Sequence, residues 1–338
     1  MGSIIVRYPG RACLLGEHCD WAGGASLTIP LPMGIEVRAE PDTDGIHIHT
    51  DIDGELLEGS WPTHGEVDPS AGALKFIPAA CHRLTQAGLT VPSSRLWVRS
   101  DLPAGRGFSS SAALTLGVLD ALARAAGHRL KATDLAQMAY EVEHDLLEIE
   151  CGRLDPTACA AGEPTFMRWG DPSRGQPTMD VRRIRPAAVH HLVVGILGRP
   201  RDTRAILQVL NEWNNAPLGD PDGDALREVL RTFASAAEQG AFAIENGDTQ
   251  SLGDAMNTAQ EAYERALSDR APQLMAPTLR RTCAHALANL NAVGAKFSGA
   301  GGDGSFIALF WNEPDARTAA LELEDMGLRA WVVPLEAT

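Results

Sequence analysis

The amino-acid sequence predicts an α+β protein of two domains. Its 338 residues exceed the length at which a single hydrophobic core usually stops growing. Patterns typical of strands precede patterns typical of helices, and this succession occurs twice along the chain. A polar stretch that contains Pro and Gly, residues 170–186, separates the two series. We therefore predict an N-terminal domain over residues 1–180 and a C-terminal domain over residues 187–338.

The individual elements follow from hydrophobic periodicity. In the first half, alternating or β-branched runs predict strands at Ile4–Tyr8, Ile35–Ala39, Ile46–Thr50 and Arg95–Ser100. Helical spacing predicts helices from Ser110 to Ala126 and from Thr133 to Glu148, with Thr133 as the N-cap residue of the second. In the second half we predict a strand at His191–Leu197 and helices at Asp224–Glu245, Leu252–Leu267 and Pro272–Asn289. Two strands, a helix and a last strand complete the chain.

The composition argues against several classes of protein. A formal net charge of −15 argues against a nucleic-acid partner, and no apolar run is long enough to predict a membrane span. The six cysteines are scattered without a Cys-x-x-Cys pair, which is typical of reduced thiols rather than of disulfides or a zinc site. We expect a cytoplasmic protein, and the sequence leaves its oligomeric state open.

The most informative segment precedes the first predicted helix and reads DLPAGRGFSSSAA, from Asp101 to Ala113. The backbone at Gly105 and Gly107 can close around an anion, and N–H groups at the helix start can bind it. The segment lacks the terminal Gly-Lys-Ser/Thr of a Walker loop, so it would be a phosphate-binding loop of another kind. The alternative is an ordinary glycine-rich turn with a serine cap, and the segment alone does not decide between the two.

One carboxylate is unusual on the helix predicted over Thr133–Glu148. The buried stripe of this helix is formed by five residues, Leu135, Met138, Ala139, Val142 and Leu146. Glu143 lies beside the stripe, because its neighbours one turn away are Ala139 and Leu147. A carboxylate beside apolar side chains costs free energy unless it is paired or bound to a metal. The alternative is that Glu143 lies at the edge of the stripe and reaches solvent.

Two further segments resemble motifs of a known family. Residues 9–24 read PGRACLLGEHCDWAGG, and residues 296–304 read KFSGAGGDG. Together with residues 101–113 they resemble the three signature motifs of the GHMP kinases, which include galactokinase, homoserine kinase, mevalonate kinase and phosphomevalonate kinase. The resemblance spans the chain from Ile4 to about Leu309. It implies the two-domain GHMP kinase fold, with an N-terminal domain like domain 2 of ribosomal protein S5 and a ferredoxin-like C-terminal domain.

The resemblance also implies catalytic and metal-binding residues. Glu143-His144 and the segment Cys151–Asp155 resemble the galactokinase pattern Glu-His followed by Cys-Gly-x-x-Asp, with the same spacing of twelve from Glu to Asp. By this resemblance Asp155 is the catalytic base, and Glu143 and Ser111 are ligands of Mg²⁺. Arg11 stands where galactokinases place an arginine beside the catalytic aspartate. A guanidinium there would stabilise the charge on the transferred phosphoryl group.

The same resemblance assigns residues to the two substrates. ATP would be bound by Pro103, Gly105, Gly107, Ser109, Ser110, Ser111, Ala112 and Gly301, with Ser109 and Ser110 as helix cap and phosphate contacts. Glu17, His18 and Asp20 match the galactokinase Glu-His-x-Asp, whose side chains hydrogen-bond the sugar hydroxyls, and Gly152 is assigned to the same substrate. Because carboxylates accept hydrogen bonds from vicinal hydroxyls, a site left unpaired by the wrong epimer discriminates against it.

The third motif also fits a different pattern. Residues 299–304 satisfy the Gly-x-Gly-x-x-Gly of dinucleotide-binding folds, but such a loop should open a helix near the start of a βαβ unit. Here a predicted strand, Ser305–Trp311, follows the loop near the C-terminus, so we reject a dehydrogenase. Asp303 stands where a glycine is common in GHMP kinases, and its role is left open.

The resemblance implies a kinase that transfers the γ-phosphoryl group of Mg·ATP to a hydroxyl of a small-molecule sugar, in the manner of a galactokinase-like anomeric (C1) kinase. The acceptor is left open among galactose, a uronic acid, arabinose, a heptose and a cyclitol. Arg153, two residues from Asp155, would either suit a carboxylate-bearing acceptor or point to solvent. Two alternatives remain: a GHMP kinase for a non-sugar alcohol (mevalonate, phosphomevalonate or an amino-acid hydroxyl), and a non-catalytic sensor of sugar and ATP.

Overall fold

The computed structural model describes residues 2–52, 54–64, 67–68, 72–170, 179–198 and 202–337. Along the chain the strands and helices are β1 (Ile4–Leu15), α1 (Cys19–Ala22), β2 (Gly24–Pro41), β3 (Ile46–Ile52), β4 (Glu55–Trp61), α2 (Phe76–Gln86), β5 (Ser94–Ser100), α3 (Ser110–Ala125), α4 (Ala132–Glu141), α5 (Leu154–Ala161), β6 (Thr165–Trp169), β7 (Met179–Arg183), β8 (His190–Ile196), α6 (Thr203–Asn214), α7 (Pro221–Asn246), α8 (Thr249–Ala266), α9 (Pro277–Asn289), β9 (Gly294–Ser298), β10 (Ser305–Phe310), α10 (Glu313–Asp325) and β11 (Arg329–Leu335). Within the described ranges, no helix is both long enough and apolar enough to cross a membrane.

The chain divides into two compact units. The first comprises Met1–Arg11 and Pro30–Gly162, and the second comprises Ala12–Ile29 and Glu163–Thr338. The limits of the units therefore fall inside β1 and inside β2, as well as after α5. The domain limits predicted from the sequence, at residues 180 and 187, stay a prediction. Residues 171–178 of the predicted boundary lie outside the described residues.

The first unit contains a mixed sheet and the central helix α3. Its strands lie in the order β4-β3-β5-β2, with β3 parallel to β5 and the other pairs antiparallel. Buried residues pair across the sheet, with Ile48 opposite Leu96 and Val37 opposite Val98. Helix α3 buries 12 of its 16 residues, because Ala and Leu recur on all sides of it. The helix predicted from Ser110 is confirmed, and its first turn is fixed in this core.

The second unit contains an antiparallel sheet of four strands in the order β11-β8-β10-β9. All residues of β9 and β10 are buried, so both faces of these strands are covered. Helix α8 packs on β9, and the long helix α7 packs on α8. In the same unit the first residues of β2, Gly24–Thr28, pair with β6, which in turn pairs with β7. The predicted succession of two strands, a helix and a strand at the end of the chain is confirmed.

Two predicted helices have different limits in the structure. Helix α4 begins at Ala132 with Lys131 as its N-cap residue, so the prediction that Thr133 is the N-cap is wrong. The extended backbone needed at an N-cap lies at Lys131, with φ −73° and ψ 153°. The helix predicted over Pro272–Asn289 is broken into a 3₁₀ turn, Pro272–Leu274, and α9. The break follows from Pro277, which has no N–H to donate and disfavours helical backbone at the residue before it.

A buried histidine at the start of β8 predicts a pH dependence of stability. His190 is fully buried beside the hydroxyl of Thr249, with Nδ1 and Oγ1 3.2 Å apart. Burial lowers the pKa of His190 below its ordinary value of 6.5, and the neighbouring His191 adds to this effect. Below pH 6.5 the unfolded chain therefore binds a proton that the folded protein resists, so the free energy of unfolding falls as the pH falls.

We expect the melting temperature to drop by a few degrees between pH 7 and pH 5.5 because of this group. Thermal unfolding of wild type and His190→Gln across that range is the measurement. The variant should lose part of the pH dependence. An identical pH profile for both proteins would contradict the assignment.

Candidate functional site

The loop before α3 has the geometry of an anion site. Gly105 and Gly107 have φ of 64° and 84°, and Ser109 at the N-cap has φ of 61°, so three residues of this loop are left-handed. The Ser109 hydroxyl makes no cap hydrogen bond, and Oγ is buried without a hydrogen-bond partner among the described residues. The prediction that a serine caps this helix is therefore wrong for the Ser109 side chain. An uncapped start of a 16-residue helix presents N–H groups that can bind a phosphate.

Arg11 connects this loop to Asp155. The Arg11 guanidinium donates from Nε and Nη2 to Oδ1 of Asp155, over 2.9 and 2.5 Å. It also donates from Nη1 to the carbonyl oxygen of Gly107, over 2.7 Å. Arg11 is buried, whereas the Asp155 side chain is 37% exposed. The carboxylate therefore has one oxygen fixed by a cation and is accessible to a small molecule.

The second oxygen of Asp155 has different surroundings. Among the described residues, no hydrogen bond reaches Oδ2. Asp155 lies in the first turn of α5, with Arg153 at the N-cap. This places the carboxylate at the positive end of a helix dipole. An acceptor hydroxyl that approached Oδ2 would meet an oriented proton acceptor.

Glu143 lies beside the start of α3 and is bonded to it. The Ser111 hydroxyl donates to Oε2 of Glu143 over 3.1 Å, while Oε1 is buried with no hydrogen-bond partner among the described residues. Burial raises the pKa of Glu143 to about 8, the negative charge of Asp155 adds to the rise, and the Ser111 hydrogen bond and the positive charge of Lys75 oppose it. The alternative in which Glu143 reaches solvent is contradicted, because only 6% of the residue is exposed.

These surroundings fit a hard divalent cation. A buried carboxylate with an unpartnered oxygen costs free energy that a cation would offset. The carboxylate of Glu143 and the hydroxyl of Ser111 are the oxygen donors that Mg²⁺ prefers. No group of three or more His, Cys, Asp or Glu residues that could hold a metal ion exists in the described part of the chain. Mg²⁺ usually binds through one or two protein groups together with water and phosphate oxygens.

A π-helical turn explains how Glu143 enters this site. The sequence predicted one helix to Glu148, but α4 ends at Glu141 and residues Val142–Leu146 form a wider π turn. The turn is closed by a hydrogen bond from the Leu147 N–H to the Val142 carbonyl, over 3.1 Å. Val142 and Leu147 pack on Ala79 of α2. The extra residue in the turn changes the face on which side chains lie, and π turns occur often at functional sites.

The segment predicted to bind the acceptor lies in the second unit. Gly16 has φ of 84°, and a Cβ atom there would lie 2.1 Å from the carbonyl oxygen of Ala25, so only glycine fits. Glu17 and His18 follow, and Asp20 lies in the first turn of α1. His18 has φ of 65°, and its ring meets the Trp21 ring edge-on at 5.6 Å. The backbone therefore turns sharply at the three polar positions of the motif, Glu17, His18 and Asp20.

The carboxylate of Glu17 is held by a cation from β9. Lys296 donates from Nζ to Oε1 of Glu17, and both side chains are almost completely buried. Lys296 lies in the third motif, but no role was predicted for it. A lysine between Ala295 and Phe297 is the signal that could have found it, because a buried ammonium needs an anionic partner. Lys75, whose positive charge lowers the pKa of Glu143, was not singled out from the sequence either.

The glycine-rich loop of the third motif connects β9 to β10, so the rejection of a dinucleotide-binding fingerprint is confirmed. Gly301 lies within this loop. The Gly302 N–H donates to the Tyr263 hydroxyl over 2.8 Å, and this hydroxyl donates to the Leu274 carbonyl over 2.7 Å. Asp303 accepts hydrogen bonds from the N–H groups of Thr278 and Leu279, over 3.1 and 2.8 Å. Asp303 therefore caps α9, whose own N-cap residue makes no cap hydrogen bond.

Removing this cap should destabilise the protein. We expect Asp303→Ala to lower the free energy of unfolding by about 1 kcal/mol, as is usual for the loss of a helix cap. Asp303→Asn should retain most of the stability because an amide oxygen can still accept these bonds. Urea unfolding of both variants is the measurement. An alanine variant as stable as wild type would show that the bonds contribute nothing.

The remaining residues assigned to the acceptor lie before α5. Gly152 is half-buried in the loop that precedes α5. Arg153 is half-buried, and its guanidinium lies 4.9 Å from the centre of the Tyr140 ring. Tyr140 in turn stacks on His144, with ring centres 4.9 Å apart. Arg153 is therefore packed on an aromatic side chain rather than extended into solvent.

Comparisons with known proteins identify the family that this chain resembles. The family profile described as GHMP kinases N terminal domain matches residues 74–163, and that described as GHMP kinases C terminal matches residues 241–327. A galactokinase of Mycobacterium tuberculosis is 35% identical over 165 residues, 48% of this chain and 45% of that protein. The chain thus aligns with about half the length of that relative.

Two further similarities cover most of the chain. A mevalonate kinase of Aeropyrum pernix is 27% identical over 307 residues, 89% of this chain and 87% of that protein. The crystal structure of Lactococcus lactis galactokinase complexed with galactose has a TM-score of 0.78 and 18% identity, and covers 98% of this chain and 92% of that one. This likeness in structure confirms the predicted α+β fold.

Proposed function

This chain belongs to the GHMP kinase superfamily, and we propose that it transfers the γ-phosphoryl group of Mg·ATP to a hydroxyl of a sugar, at the anomeric C1 position. The observation that carries the proposal is the Arg11–Asp155 ion pair, bonded to the phosphate loop through Gly107. Arg11 and Asp155 stand where galactokinases have an arginine beside the catalytic aspartate, and Glu143 and Ser111 supply oxygen donors nearby.

Asp155 would act as the base. As the acceptor oxygen forms its bond to the γ-phosphorus, its proton moves to Oδ2 of Asp155, and the bond from the γ-phosphorus to the bridging oxygen of ADP breaks. Oδ2 is the acceptor because both bonds from Arg11 go to Oδ1. Arg11 would keep the carboxylate oriented and stabilise the charge on the transferred group. Positioning and electrostatics supply most of the rate in phosphoryl transfer.

ATP would be bound by the loop before α3. The residues proposed to contact it are those of the phosphate loop, Pro103, Gly105, Gly107, Ser109, Ser110, Ser111 and Ala112, with Gly301 of the third motif. Glu143 and Ser111 would hold Mg²⁺, which neutralises charge on the β- and γ-phosphate oxygens. The buried Oε1 of Glu143 and Oγ of Ser109, both without a partner among the described residues, support this arrangement.

The acceptor would be bound by Glu17, His18, Asp20 and Gly152. A sugar is favoured because Glu17-His18-x-Asp20 matches the galactokinase pattern, and carboxylates can distinguish epimers by their hydroxyls. A non-sugar alcohol is the second candidate. It is supported by the similarity to the Aeropyrum pernix mevalonate kinase, which extends over 89% of this chain.

The proposal is tested by ADP release with Mg·ATP and a panel of acceptors: D-galactose, D-galacturonate, L-arabinose, a heptose, myo-inositol and mevalonate. We expect turnover with one of the sugars. Turnover with mevalonate alone would replace the sugar by the second candidate and leave the kinase reaction intact. Absence of ADP release above the ATPase background with every acceptor would contradict the proposed function.

A further inference from the structure

The buried ion pair between Lys296 and Glu17 is not explained by the reaction itself. Lys296 is fully buried in β9, and its Nζ donates to Oε1 of Glu17 and to the carbonyl oxygen of Phe297, the latter over 2.6 Å. The Lys296 Nζ also lies 4.5 Å from the centre of the Phe297 ring. The ammonium is thus oriented by three contacts, one of which fixes the carboxylate that opens the Glu-His-x-Asp motif.

A second residue of β9 holds the same segment. Ser298 lies two positions after Lys296, on the same face of the strand. Its hydroxyl accepts a hydrogen bond from the Cys13 N–H and donates to the Cys13 carbonyl, each over 3.1 Å. Alternate residues of β9 therefore hold both ends of the segment Cys13–Glu17, just before the sharp turn at His18.

The other face of β9 is anchored in the core of the unit. Phe297 packs against Tyr263 and Phe233, with ring centres 4.6 and 5.7 Å apart. The Phe297 N–H donates to the Gln260 amide oxygen of α8 over 2.9 Å. Since β9 is paired with β10 and packed on α8, it is a rigid support for the residues that Lys296 and Ser298 hold.

Stability alone does not account for a charged pair in this position. Desolvation of two buried ions largely offsets their attraction, and apolar residues of similar size often give an equally stable protein. The choice of lysine is also specific. The chain contains three lysines among its 29 cationic residues, and Lys296 is the fully buried one, since Lys75 is half-buried and Lys131 is exposed. A role in orienting Glu17 explains both the buried charged pair and the presence of a lysine at this position.

We propose that Lys296 is a positioning residue for acceptor recognition, which acts by holding the Glu17 carboxylate and the turn Glu17–Asp20 in the orientation that receives the acceptor hydroxyls. This inference rests on the proposed function. The third motif then contributes to acceptor recognition through Lys296. The turn Glu17–Asp20 is then supported by β9 rather than being an independent segment.

The test compares Lys296→Met with Lys131→Met, the same substitution at an exposed lysine. Steady-state kinetics are measured with the best acceptor of the panel, varying acceptor and ATP separately. We expect the acceptor KM of Lys296→Met to rise by about 10- to 100-fold, in line with the cost of a displaced positioning group. The KM for ATP should equal that of Lys131→Met. Lys296→Arg, which keeps the charge, should recover part of the acceptor affinity.

A paired variant separates positioning from folding. Lys296→Met leaves a buried carboxylate without its cation, which is strongly destabilising, whereas the double variant Glu17→Gln/Lys296→Met removes both charges. We expect its melting temperature to return towards the wild-type value while its acceptor KM stays high.

Three outcomes would overturn the inference. A folded variant with wild-type acceptor KM shows that Lys296 positions nothing. An equal rise of the KM for ATP and for the acceptor in Lys296→Met assigns the ion pair to stability. So does a failure of Lys296→Met and of Glu17→Gln/Lys296→Met to fold while Lys296→Arg folds. Absence of ADP release by the wild-type protein with every acceptor removes the proposed function, and this inference with it. The first two outcomes leave the proposed function standing.

Discussion

Asp155→Asn is expected to lower kcat by about 10²- to 10⁴-fold, the usual contribution of a general base. The amide oxygen of asparagine can still accept the hydrogen bonds that Arg11 donates to Oδ1, so the local geometry should persist. What is lost is a second oxygen able to take a proton. The substitution therefore removes proton transfer and the negative charge, and leaves the hydrogen bonds from Arg11 largely in place.

The measurement is the rate of ADP release at saturating acceptor and Mg·ATP. The matched control is Asp134→Asn, the same change at an exposed position in the first turn of α4. The control should keep wild-type turnover. If Asp155→Asn turned over at a rate close to that of Asp134→Asn, the assignment of Asp155 as the base would be wrong, although a kinase function could persist.

Glu143→Gln is expected to raise the free Mg²⁺ concentration for half-maximal activity by about 100-fold or more. Even partners that only orient metal ligands contribute about 10- to 100-fold to metal affinity, so the loss of a direct carboxylate ligand should cost at least as much. Glutamine has nearly the same volume and can still accept the Ser111 hydrogen bond, which limits the effect on packing. Turnover at saturating Mg²⁺ should recover in part.

The same residue predicts how Mg²⁺ activation depends on pH. Burial raises the pKa of Glu143 to about 8 in the metal-free protein, so below that pH a cation must displace a proton in order to bind. Apparent Mg²⁺ affinity should therefore rise by up to about tenfold per pH unit as the pH approaches 8, and then level off. Glu143→Gln should lose this dependence because the amide does not titrate.

Activation curves against free Mg²⁺ at pH 6.5, 7.5 and 8.5 provide the measurement. Glu150→Gln, an exposed glutamate in the segment that follows, is the matched control and should behave as wild type. Identical Mg²⁺ curves for Glu143→Gln and Glu150→Gln would contradict the role of Glu143 as a metal ligand. A wild-type curve that does not move with pH would contradict the proton displacement.

Much of the fold was predictable because its signals are local. Helix α3 and the strands β8 and β10 have clear periodicity, and the structure confirms them within a few residues, whereas β6 and β7 were not predicted. Helices α2, α5 and α6 were not predicted, although α6 buries Ile206 and Leu210 one turn apart. The break before α9 was missed although Pro277 signals it, because the periodicity continues across the proline.

The site was predictable where the motifs carry it. Arg11 and Asp155 were assigned together by resemblance, and the structure brings them into contact across 144 positions of sequence. Ser111 and Glu143 were likewise assigned together and are bonded. Their roles in catalysis and metal binding stay predictions that the variants above test.

The sequence by itself determined the family, the order of its motifs and the types of residue available for phosphoryl transfer, because these are carried by short segments. Only the tertiary structure decided which polar and charged side chains are buried and which partners they contact. The π turn that buries Glu143 depends on packing against α2, and the partner of Glu17 lies 279 positions away in β9. Asp303, whose role was open, caps a helix that begins 26 residues earlier in the chain. Such pairings are set by the folded core, and neither spacing nor periodicity along the chain encodes them.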